Sequence, residues 1–252
     1  MEYIASPKNE HIKAAKKLTV KKYQKSGDAY LLEGWHLVEE ALKAGLTPRR
    51  IYATEKFLDE RALREHYELI TEISPEVAKH LAETPTPQGI FAIMPREVGT
   101  LPEHFSGQYL LLDGIQDPGN VGTLVRTADA AGIHQVVFGD GTADAFNPKV
   151  LRAMQGSQFH VNITTTPLAN VINELKAAKI PVYGTELNAQ AESYRDVAPS
   201  KQFALIVGNE GNGMDKELLK QTDTNLYIPI KGRAESLNVA IAAAVVMFHL
   251  TA

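Results

Sequence analysis

The sequence predicts an α/β protein, with a small α/β domain followed by a larger domain built on a mostly parallel sheet. Strands and helices alternate over residues 107–252, and each strand is a short apolar run. Such runs are typical of parallel strands that helices cover on both faces. Residues 96–106 carry Pro, Gly and charge without periodicity, so we predict a linker there between domains 1–95 and 107–252.

In the first domain we predict short strands at residues 30–32, 50–53 and 90–94. A helix is predicted over Trp35–Ala44, and Gly45 ends it. Ser74 and Pro75 are the preferred N-cap and first residue of a second helix.

In the second domain the predicted strands are 109–113, 135–138, 181–184, 203–207 and 226–230, with helices at 121–131, around 170–178 and from Asp215. Pro229 confines the last strand to an edge or cuts it short. The closing helix, residues 239–250, is apolar all round. Such a helix belongs inside a protein, and it is too short to span a bilayer.

Composition excludes several kinds of chemistry. The chain has no cysteine, which rules out a thiolate nucleophile, a cysteine-held iron–sulfur cluster and a cysteine zinc site. Its eight histidines show no ligand spacing, so we predict no metal. The N-terminus lacks the apolar segment of a signal peptide and no apolar run reaches membrane length. We therefore expect a cytoplasmic protein without a membrane anchor.

The charge is distributed unevenly along the chain. The formal net charge is −4, but residues 1–26 hold seven lysines against two glutamates. These lysines include Lys13, Lys16, Lys17, Lys21 and Lys22. The run is either a solvated helix face or a contact with a phosphate backbone, and composition alone leaves both interpretations open.

Three polar loops follow strands of the second domain. They cover residues 114–120, 208–213 and 231–238. Ligands of parallel sheets lie beyond the carboxyl ends of the strands, so we predict that the three loops form one site. The glycines at 208, 211 and 213 run in the reverse of the dinucleotide-binding spacing, which disfavours a dinucleotide site.

Each polar residue of these loops also has a structural interpretation. Asn120, Ser236 and Asn238 are all suitable N-cap residues. Arg126 is predicted opposite the buried stripe of its helix, where it could be a solvated arginine paired with Asp129.

Taken together, residues 120–132, 206–214 and 228–239 resemble the three motifs of the SpoU (TrmH-type) RNA ribose 2′-O-methyltransferases, in the SPOUT superfamily. Residues 33–41 and 87–89 are similar to the family's N-terminal substrate-binding domain, which has a fold like that of ribosomal protein L30e. One departure is Gln24, where many members carry an arginine.

The resemblance implies a trefoil knot in the C-terminal domain, S-adenosylmethionine as cofactor, a homodimer and an RNA substrate, either rRNA or tRNA. It implies that cofactor-binding residues are Gly208, Asn209, Ile228, Leu237 and Thr185, that residues around the reacting atoms are Asn120, Arg126, Glu210, Ser236 and Asn238, and that RNA-binding residues are Lys13, Lys17, Lys21, Lys22 and Arg152.

Transfer of a methyl group from a sulfonium to a ribose hydroxyl requires in-line placement of the hydroxyl and removal of its proton. A guanidinium keeps its proton in proteins, so Arg126 is better suited to stabilise the developing alkoxide or to hold the adjacent phosphate. Glu210 or that phosphate would then accept the proton.

Two other classes of function remain open at this point. A non-catalytic RNA-binding or ribosome-assembly protein would keep the lysine-rich N-terminus without needing the complete set of motifs. A dinucleotide-dependent oxidoreductase would need the opposite glycine spacing.

Overall fold

A computed structural model of the chain describes residues 1–20, 22, 27–186 and 190–252, so Lys21 and Gln24 lie outside the described residues. The chain divides into two compact units. The first comprises Met1–Glu97 and Phe146–Phe159, and the second comprises Val98–Ala145 and His160–Ala252. Sequence analysis did not anticipate that residues 146–159 group with the first unit.

The described α-helices are, in chain order, α1 (Glu10–Lys17), α2 (Trp35–Lys43), α3 (Pro75–Leu81), α4 (Pro118–Ala130), α5 (Pro148–Met154), α6 (Leu168–Ala177), α7 (Lys216–Leu219) and α8 (Val239–Leu250). Short 3₁₀ helices cover Glu55–Phe57, Arg61–Leu69, Ser157–Phe159 and Tyr194–Asp196.

The sheet of the first unit is mixed. Its described strands are β1 (Glu2–Ile4), β2 (Ala29–Glu33), β3 (Arg50–Ala53), β4 (Ile70–Ile73) and β5 (Ile90–Pro95), in the order β1-β4-β3-β5-β2. β1, β4 and β3 run parallel, whereas β5 is antiparallel to both β3 and β2. β1 and β4 were not predicted, because each is short and includes a glutamate beside its apolar residues.

The core of the first unit lies between this sheet and helices α1 and α3. Ile12 and Ala15 of α1 are fully buried against residues such as Ile73 and Phe91. These two residues fix the inner face of α1, and Lys13 and Lys17 lie outside that face and are exposed. Lys13 and Lys17 therefore lie on a solvated face of α1, and the alternative of a contact with a phosphate backbone stays a prediction.

The described strands of the second unit form a sheet in which every pairing is parallel. They are β6 (Gln108–Asp113), β7 (Gln135–Phe138), β8 (Asn162–Thr165), β9 (Val182–Thr185), β10 (Glu192–Ser193), β11 (Phe203–Gly208) and β12 (Thr224–Tyr227), in the order β10-β12-β9-β11-β6-β7-β8. β6, β7 and β11 are almost wholly buried, as their continuous apolar runs predict. The last strand ends two residues before Pro229, so the proline does shorten it.

The connections between strands run toward opposite edges of the sheet on the two sides of its centre. β6 and β11 are neighbours, and Asp113 pairs with Gly208 at their carboxyl ends. After β6 the chain continues to β7 on one side, whereas after β11 it continues to β12 on the other. The two loops therefore diverge and leave a crevice at the position where open α/β sheets bind ligands. The trefoil knot implied by the resemblance stays a prediction.

Helix α8 is only half covered by the described chain. Ala243, Met247 and Leu250 on one stripe are buried, whereas Ile241 is 56% exposed and Phe248 is 51% exposed. The prediction that this helix is enclosed within the protein is therefore wrong for the single chain. In the described ranges, no helix combines the length and apolar character needed to cross a membrane.

Candidate functional site

The first loop of the site leads from β6 into helix α4. Asp117 is the N-cap of this helix, and its Oδ1 accepts the backbone N–H of Asn120 at 2.8 Å. Pro118 occupies the first helical position, so α4 begins three residues earlier than predicted. The interpretation of Asn120 as the N-cap is therefore wrong. Its side chain is available for contacts with other loops.

The second loop, after β11, is a tight turn held by Asn209. The backbone groups of Asn209 and Gly213 exchange hydrogen bonds of 3.0 and 2.9 Å, and Asn209 Oδ1 accepts the N–H groups of Gly211 and Asn212. Its Nδ2 donates to the carbonyl of Gly114 at 2.8 Å. The Asn209 side chain thus joins the second loop to the first and stabilises the turn.

Gly208 permits this turn because the backbone returns very close to it. A Cβ added at Gly208 would lie 2.3 Å from the backbone nitrogen of Met214. No side chain can occupy that space, so the residue at the end of β11 must be glycine.

The third loop ends at Asn238, which is the N-cap of α8. Asn238 Oδ1 accepts the N–H groups of Ala240 at 2.9 Å and Ile241 at 3.3 Å. Its Nδ2 donates to Asn120 Oδ1 at 2.9 Å. Asn238 therefore caps the helix, as predicted, and also contacts Asn120, whereas its place around the reacting atoms stays a prediction.

A continuous hydrogen-bonded chain crosses the three loops. Asn120 Oδ1 accepts a hydrogen bond from Asn238, and Asn120 Nδ2 donates one to Glu210 Oε1 at 2.8 Å. The helix N–H groups fix which end of the Asn238 amide faces inward, and this in turn fixes the amide of Asn120. Glu210 consequently receives a donor at one oxygen. The prediction that the three loops meet is confirmed by these contacts.

Glu210 is exposed at the end of this chain. An acceptor held by an oriented amide at a site accessible to ligand can receive a proton or a hydroxyl hydrogen bond.

Arg126 lies two turns along α4 from the start of the helix and is exposed. Within the described ranges, no hydrogen bond or ion pair involves its guanidinium. Asp129, its predicted partner, instead lies 3.1 Å from His160 Nδ1. The predicted pairing of Arg126 with Asp129 is therefore wrong, and the arginine is available to a ligand.

Asp113 at the end of β6 is a site residue that sequence reasoning missed. Its Oδ2 accepts the backbone N–H of Asp215 at 2.6 Å, which ties β6 to the start of α7. Burial raises the pKa of Asp113, and the hydrogen bond from Asp215 partly opposes that rise. An acidic residue directly after a buried apolar strand was the available sequence signal.

A cleft of about 610 Å³ lies beside the third loop. It lies against both the end of β12 and helix α8, and predicted residues on its walls are Thr185, Ile228, Ser236 and Leu237. This volume is in the range of small-molecule sites. Gly208 and Asn209 are not among the residues that line it.

The predicted RNA-binding residues differ in their environments. Lys13 pairs with Glu10 at 2.7 Å on the exposed face of α1. Lys17 and Lys22 are exposed, and for Lys17 the described chain offers no ion-pair partner.

Arg152 is largely inside the first unit. Its Nη1 lies 3.8 Å from Glu33 Oε2. Arg152 Nη1 is buried and has no hydrogen-bond partner among the described residues. Glu33 also accepts hydrogen bonds from the backbone N–H groups of Glu83 and Thr84. This environment favours a supporting role within the unit over the predicted contact with RNA.

Lys16 is a second internal cation that the sequence pattern did not separate from its neighbours. Its Nζ donates to the carbonyls of Leu81 and Ala82 at the end of α3, and it pairs with Glu83 at 2.6 Å. Lysine at a helix C-terminus is favourable because it neutralises unpaired carbonyls.

An open parallel sheet, with polar loops that converge over two diverging central strands, defines a ligand-binding α/β protein. Comparison with known proteins specifies the class further. Residues 107–248 match the SpoU rRNA Methylase family and residues 9–92 match the MRM3-like substrate binding domain. The chain belongs to the SpoU rRNA methylase family.

Individual relatives cover almost the whole chain. The chain is 46% identical over 252 residues to the 23S rRNA (guanosine(2553)-2′-O)-methyltransferase RlmP of Bacillus subtilis strain 168, and 99% of each protein is covered. A crystal structure of an AdoMet-bound rRNA methyltransferase from Sinorhizobium meliloti is 30% identical, with a TM-score of 0.88 and coverage of 99% of this chain and 97% of the other. A putative TrmH-family RNA methyltransferase from Porphyromonas gingivalis is 33% identical, with a TM-score of 0.83 and coverage of 95% and 96%.

Proposed function

We propose that this protein is an S-adenosylmethionine-dependent methyltransferase that modifies a ribose 2′-hydroxyl in structured RNA, with ribosomal RNA as its substrate class. The observation that carries the proposal is the chain from Asn238 through Asn120 to Glu210. It joins the three loops whose motifs identify the family, and it ends on an exposed carboxylate next to the crevice.

The cleft beside the third loop fits the cofactor. Ile228, Leu237 and Val246 supply apolar surface for an adenine ring, and Thr185 supplies a polar edge. Residues between 226 and 237 form most of the remaining wall. We propose that Thr185, Ile228 and Leu237 hold the cofactor, while Gly208 and Asn209 shape the adjoining turn.

S-adenosylmethionine supplies a methyl group on a sulfonium, which is a good leaving group. Glu210 accepts the proton of the 2′-hydroxyl, because Asn120 holds one carboxylate oxygen and leaves the other exposed for the substrate. Arg126 keeps its positive charge and stabilises the developing alkoxide or the neighbouring phosphate. Ser236 lines the cleft and holds the nucleotide near this carboxylate.

We propose that α1 contributes to the RNA-binding surface of the first unit through Lys13 and Lys17. Both are exposed. The ion pair of Lys13 with Glu10 leaves Lys13 able to bind a phosphate, because ion pairs on the surface contribute little free energy. Lys21 and Lys22 continue the same positively charged run in the sequence. Lys16 and Arg152 are half-buried and make internal contacts, so the proposed surface does not depend on them.

We also propose a homodimer that forms through α8. Ile241 and Phe248 are 56% and 51% exposed and lie seven residues apart, which places them on one stripe of the helix. Contiguous exposed apolar surface of this kind marks an interface. A second copy of α8 would cover the stripe and give the helix the enclosed environment that its composition requires.

The test is transfer of tritium from labelled cofactor to 23S rRNA and to total tRNA, followed by mapping of the 2′-O-methyl positions. We expect incorporation of tritium into 23S rRNA, because the relative from Bacillus subtilis is named as a 23S rRNA methyltransferase. Cytoplasmic ribosome assembly intermediates would be the natural source of this RNA. RNA binding without incorporation into any RNA would favour the non-catalytic alternative, and binding of NADH in place of S-adenosylmethionine would favour the oxidoreductase.

A further inference from the structure

A second cleft, of about 540 Å³, lies within the first unit, distinct from the cofactor cleft. Its walls come from the carboxyl ends of three parallel strands, β1, β3 and β4, and from residues 87–89. Carboxyl ends of parallel strands are the usual position for ligands in open sheets.

Tyr3 lines this cleft and is 57% exposed. It pairs directly with Glu72 of β4 in the parallel register, so both side chains point to the same face of the sheet. Tyr3 therefore presents an exposed aromatic ring on an edge strand. It can serve as a platform on which a planar ligand stacks.

The charged groups of the cleft have the chemistry of a nucleotide site. Lys56 and Lys79 are exposed on its rim and suit a phosphate. Glu72 is half-buried, and no described residue donates a hydrogen bond to its carboxylate. A carboxylate beside an aromatic platform accepts from the amino group of a stacked base.

One wall of the cleft is held in place by contacts to neighbouring elements. Gln88 Oε1 accepts the N–H of Trp35 at 2.7 Å, and Glu33 binds the start of the same loop through the N–H groups of Glu83 and Thr84. Gly89 has a φ of 95°, and an added Cβ would lie 2.6 Å from Thr54 Oγ1. The cleft is therefore a preformed feature of the unit.

We propose that this cleft binds one unpaired nucleotide of the RNA substrate, which stacks on Tyr3 and presents an amino group to Glu72. This inference rests on the proposed function, because it requires an RNA substrate. It places a base-selective contact in the first unit, separate from the residues that act on the 2′-hydroxyl.

The test compares RNA affinity and methyl transfer for the full chain and its Tyr3→Ala, Tyr3→Phe and Tyr67→Ala variants. Tyr67 is a matched control, since it is 53% exposed in the same unit but lies in another cleft. The probe is a fluorescein-labelled 23S rRNA transcript for anisotropy, and the same transcript unlabelled for KM and kcat. Calorimetry with S-adenosylmethionine monitors the cofactor site.

We expect Tyr3→Ala to weaken RNA binding and raise the KM for RNA about tenfold, the scale of one lost base–aromatic stack. The kcat and the cofactor affinity should be unchanged, Tyr3→Phe should restore binding, and Tyr67→Ala should match wild type. Glu72→Gln should reduce the advantage of oligocytidylate over oligouridylate as a competitor. Tyr3→Ala with an RNA affinity within twofold of wild type would overturn the inference.

Failure of the two proposals can be separated. Wild-type methyl transfer with normal RNA binding by Tyr3→Ala refutes the cleft alone. RNA binding by wild type without methyl transfer refutes the proposed function, and the Tyr3 comparison can still be read from anisotropy. Absence of RNA binding by wild type refutes both.

Discussion

Asn238 donates its side-chain amide to Asn120 Oδ1 at 2.9 Å, although the two residues are 118 positions apart in the chain. The same Asn238 side chain caps α8, so the orientation of a helix N-terminus is transmitted to Asn120 and then to Glu210. One residue therefore couples a structural element to the group that we propose accepts the proton.

Asn238→Asp should separate these two roles. Aspartate caps a helix as well as asparagine does, so the free energy of unfolding should change by less than about 0.5 kcal/mol. Without a donor at residue 238, Asn120 can satisfy either that residue or Glu210, but not both. We expect single-turnover methyl transfer to fall about tenfold, the equivalent of one charge-assisted hydrogen bond.

Asn238→Ala is the matched control. It should lose the cap as well and cost about 1 kcal/mol in urea unfolding. Normal turnover in Asn238→Asp would remove the hydrogen-bonded chain from the mechanism.

Arg126→Ala should lower the methyl-transfer rate about a hundredfold, the scale of deleting one preorganised donor from an active site. The free energy of unfolding should change by no more than about 0.5 kcal/mol, because the side chain is exposed and makes no ion pair to any described residue. Arg126→Lys should be nearly as inactive, since lysine keeps the charge but loses the planar fork. Single-turnover assays measure the rate, and near-normal values in Arg126→Ala would contradict the proposed role.

Lys16 and Lys17 are adjacent in sequence, yet substitution of the first should change stability and substitution of the second should change RNA binding. Lys16→Met should lower the free energy of unfolding by about 1–2 kcal/mol, because it leaves the carbonyls of Leu81 and Ala82 without their donor. Lys17→Met should leave stability unchanged, weaken RNA binding and reduce the slope of log affinity against log salt by about one. Urea unfolding and anisotropy over a salt series distinguish the two. Equal salt slopes in Lys17→Met and wild type would refute the proposed phosphate contact.

Ile241→Glu should convert the proposed dimer into a monomer. Glutamate is tolerated in the first turn of a helix, so α8 should remain folded while its exposed apolar stripe gains a charge. Sedimentation at micromolar concentration measures the state, and Tyr67→Glu on the first unit is the control that should remain dimeric. A wild-type monomer at that concentration would contradict the proposed interface.

Asp113→Asn should gain stability relative to wild type as the pH rises. Burial raises the pKa of Asp113 in the folded state, so the folded state binds this proton more tightly than the unfolded state does. The resulting stabilisation of wild type is present below the unfolded pKa and is lost as pH rises through the folded pKa. The difference in unfolding free energy between Asn variant and wild type should therefore grow from about pH 4 to about pH 7. A difference independent of pH would show that Asp113 titrates normally.

The sequence predicted the parallel sheet and the convergence of its loops well, because both depend on local signals. The buried strand over residues 203–208 is a continuous apolar run, and its loop carries the glycines that the close return of Met214 demands. Asp117 was missed as a cap even though proline follows it. The Asp-Pro pair is a helix start signal, but the helix was predicted to begin at Val121, which left Asn120 in the cap position.

Contacts between distant residues could not be predicted in this way. Lys16 and Lys17 are the same residue type in one run, and only the position of α3 decides which of them turns inward. Asp129 has two possible partners, and the fold supplies His160 from a segment that no helical spacing indicates. Residues 146–159 likewise group with the first unit for reasons of tertiary packing alone.

The separation of the three loops has a consequence for how the protein matures. Glu210 and Asn238 reach Asn120 across 90 and 118 residues, so the site depends on contacts that are among the least local in the chain. Such contacts form late in folding because a long loop must close before they stabilise anything. A nascent chain that has emerged only as far as β11 can complete most of the sheet, yet Asn120 still lacks its partner from α8. Activity should therefore begin abruptly, when α8 docks, and an incompletely synthesised chain should be inert toward RNA chemistry even if its first unit already binds RNA.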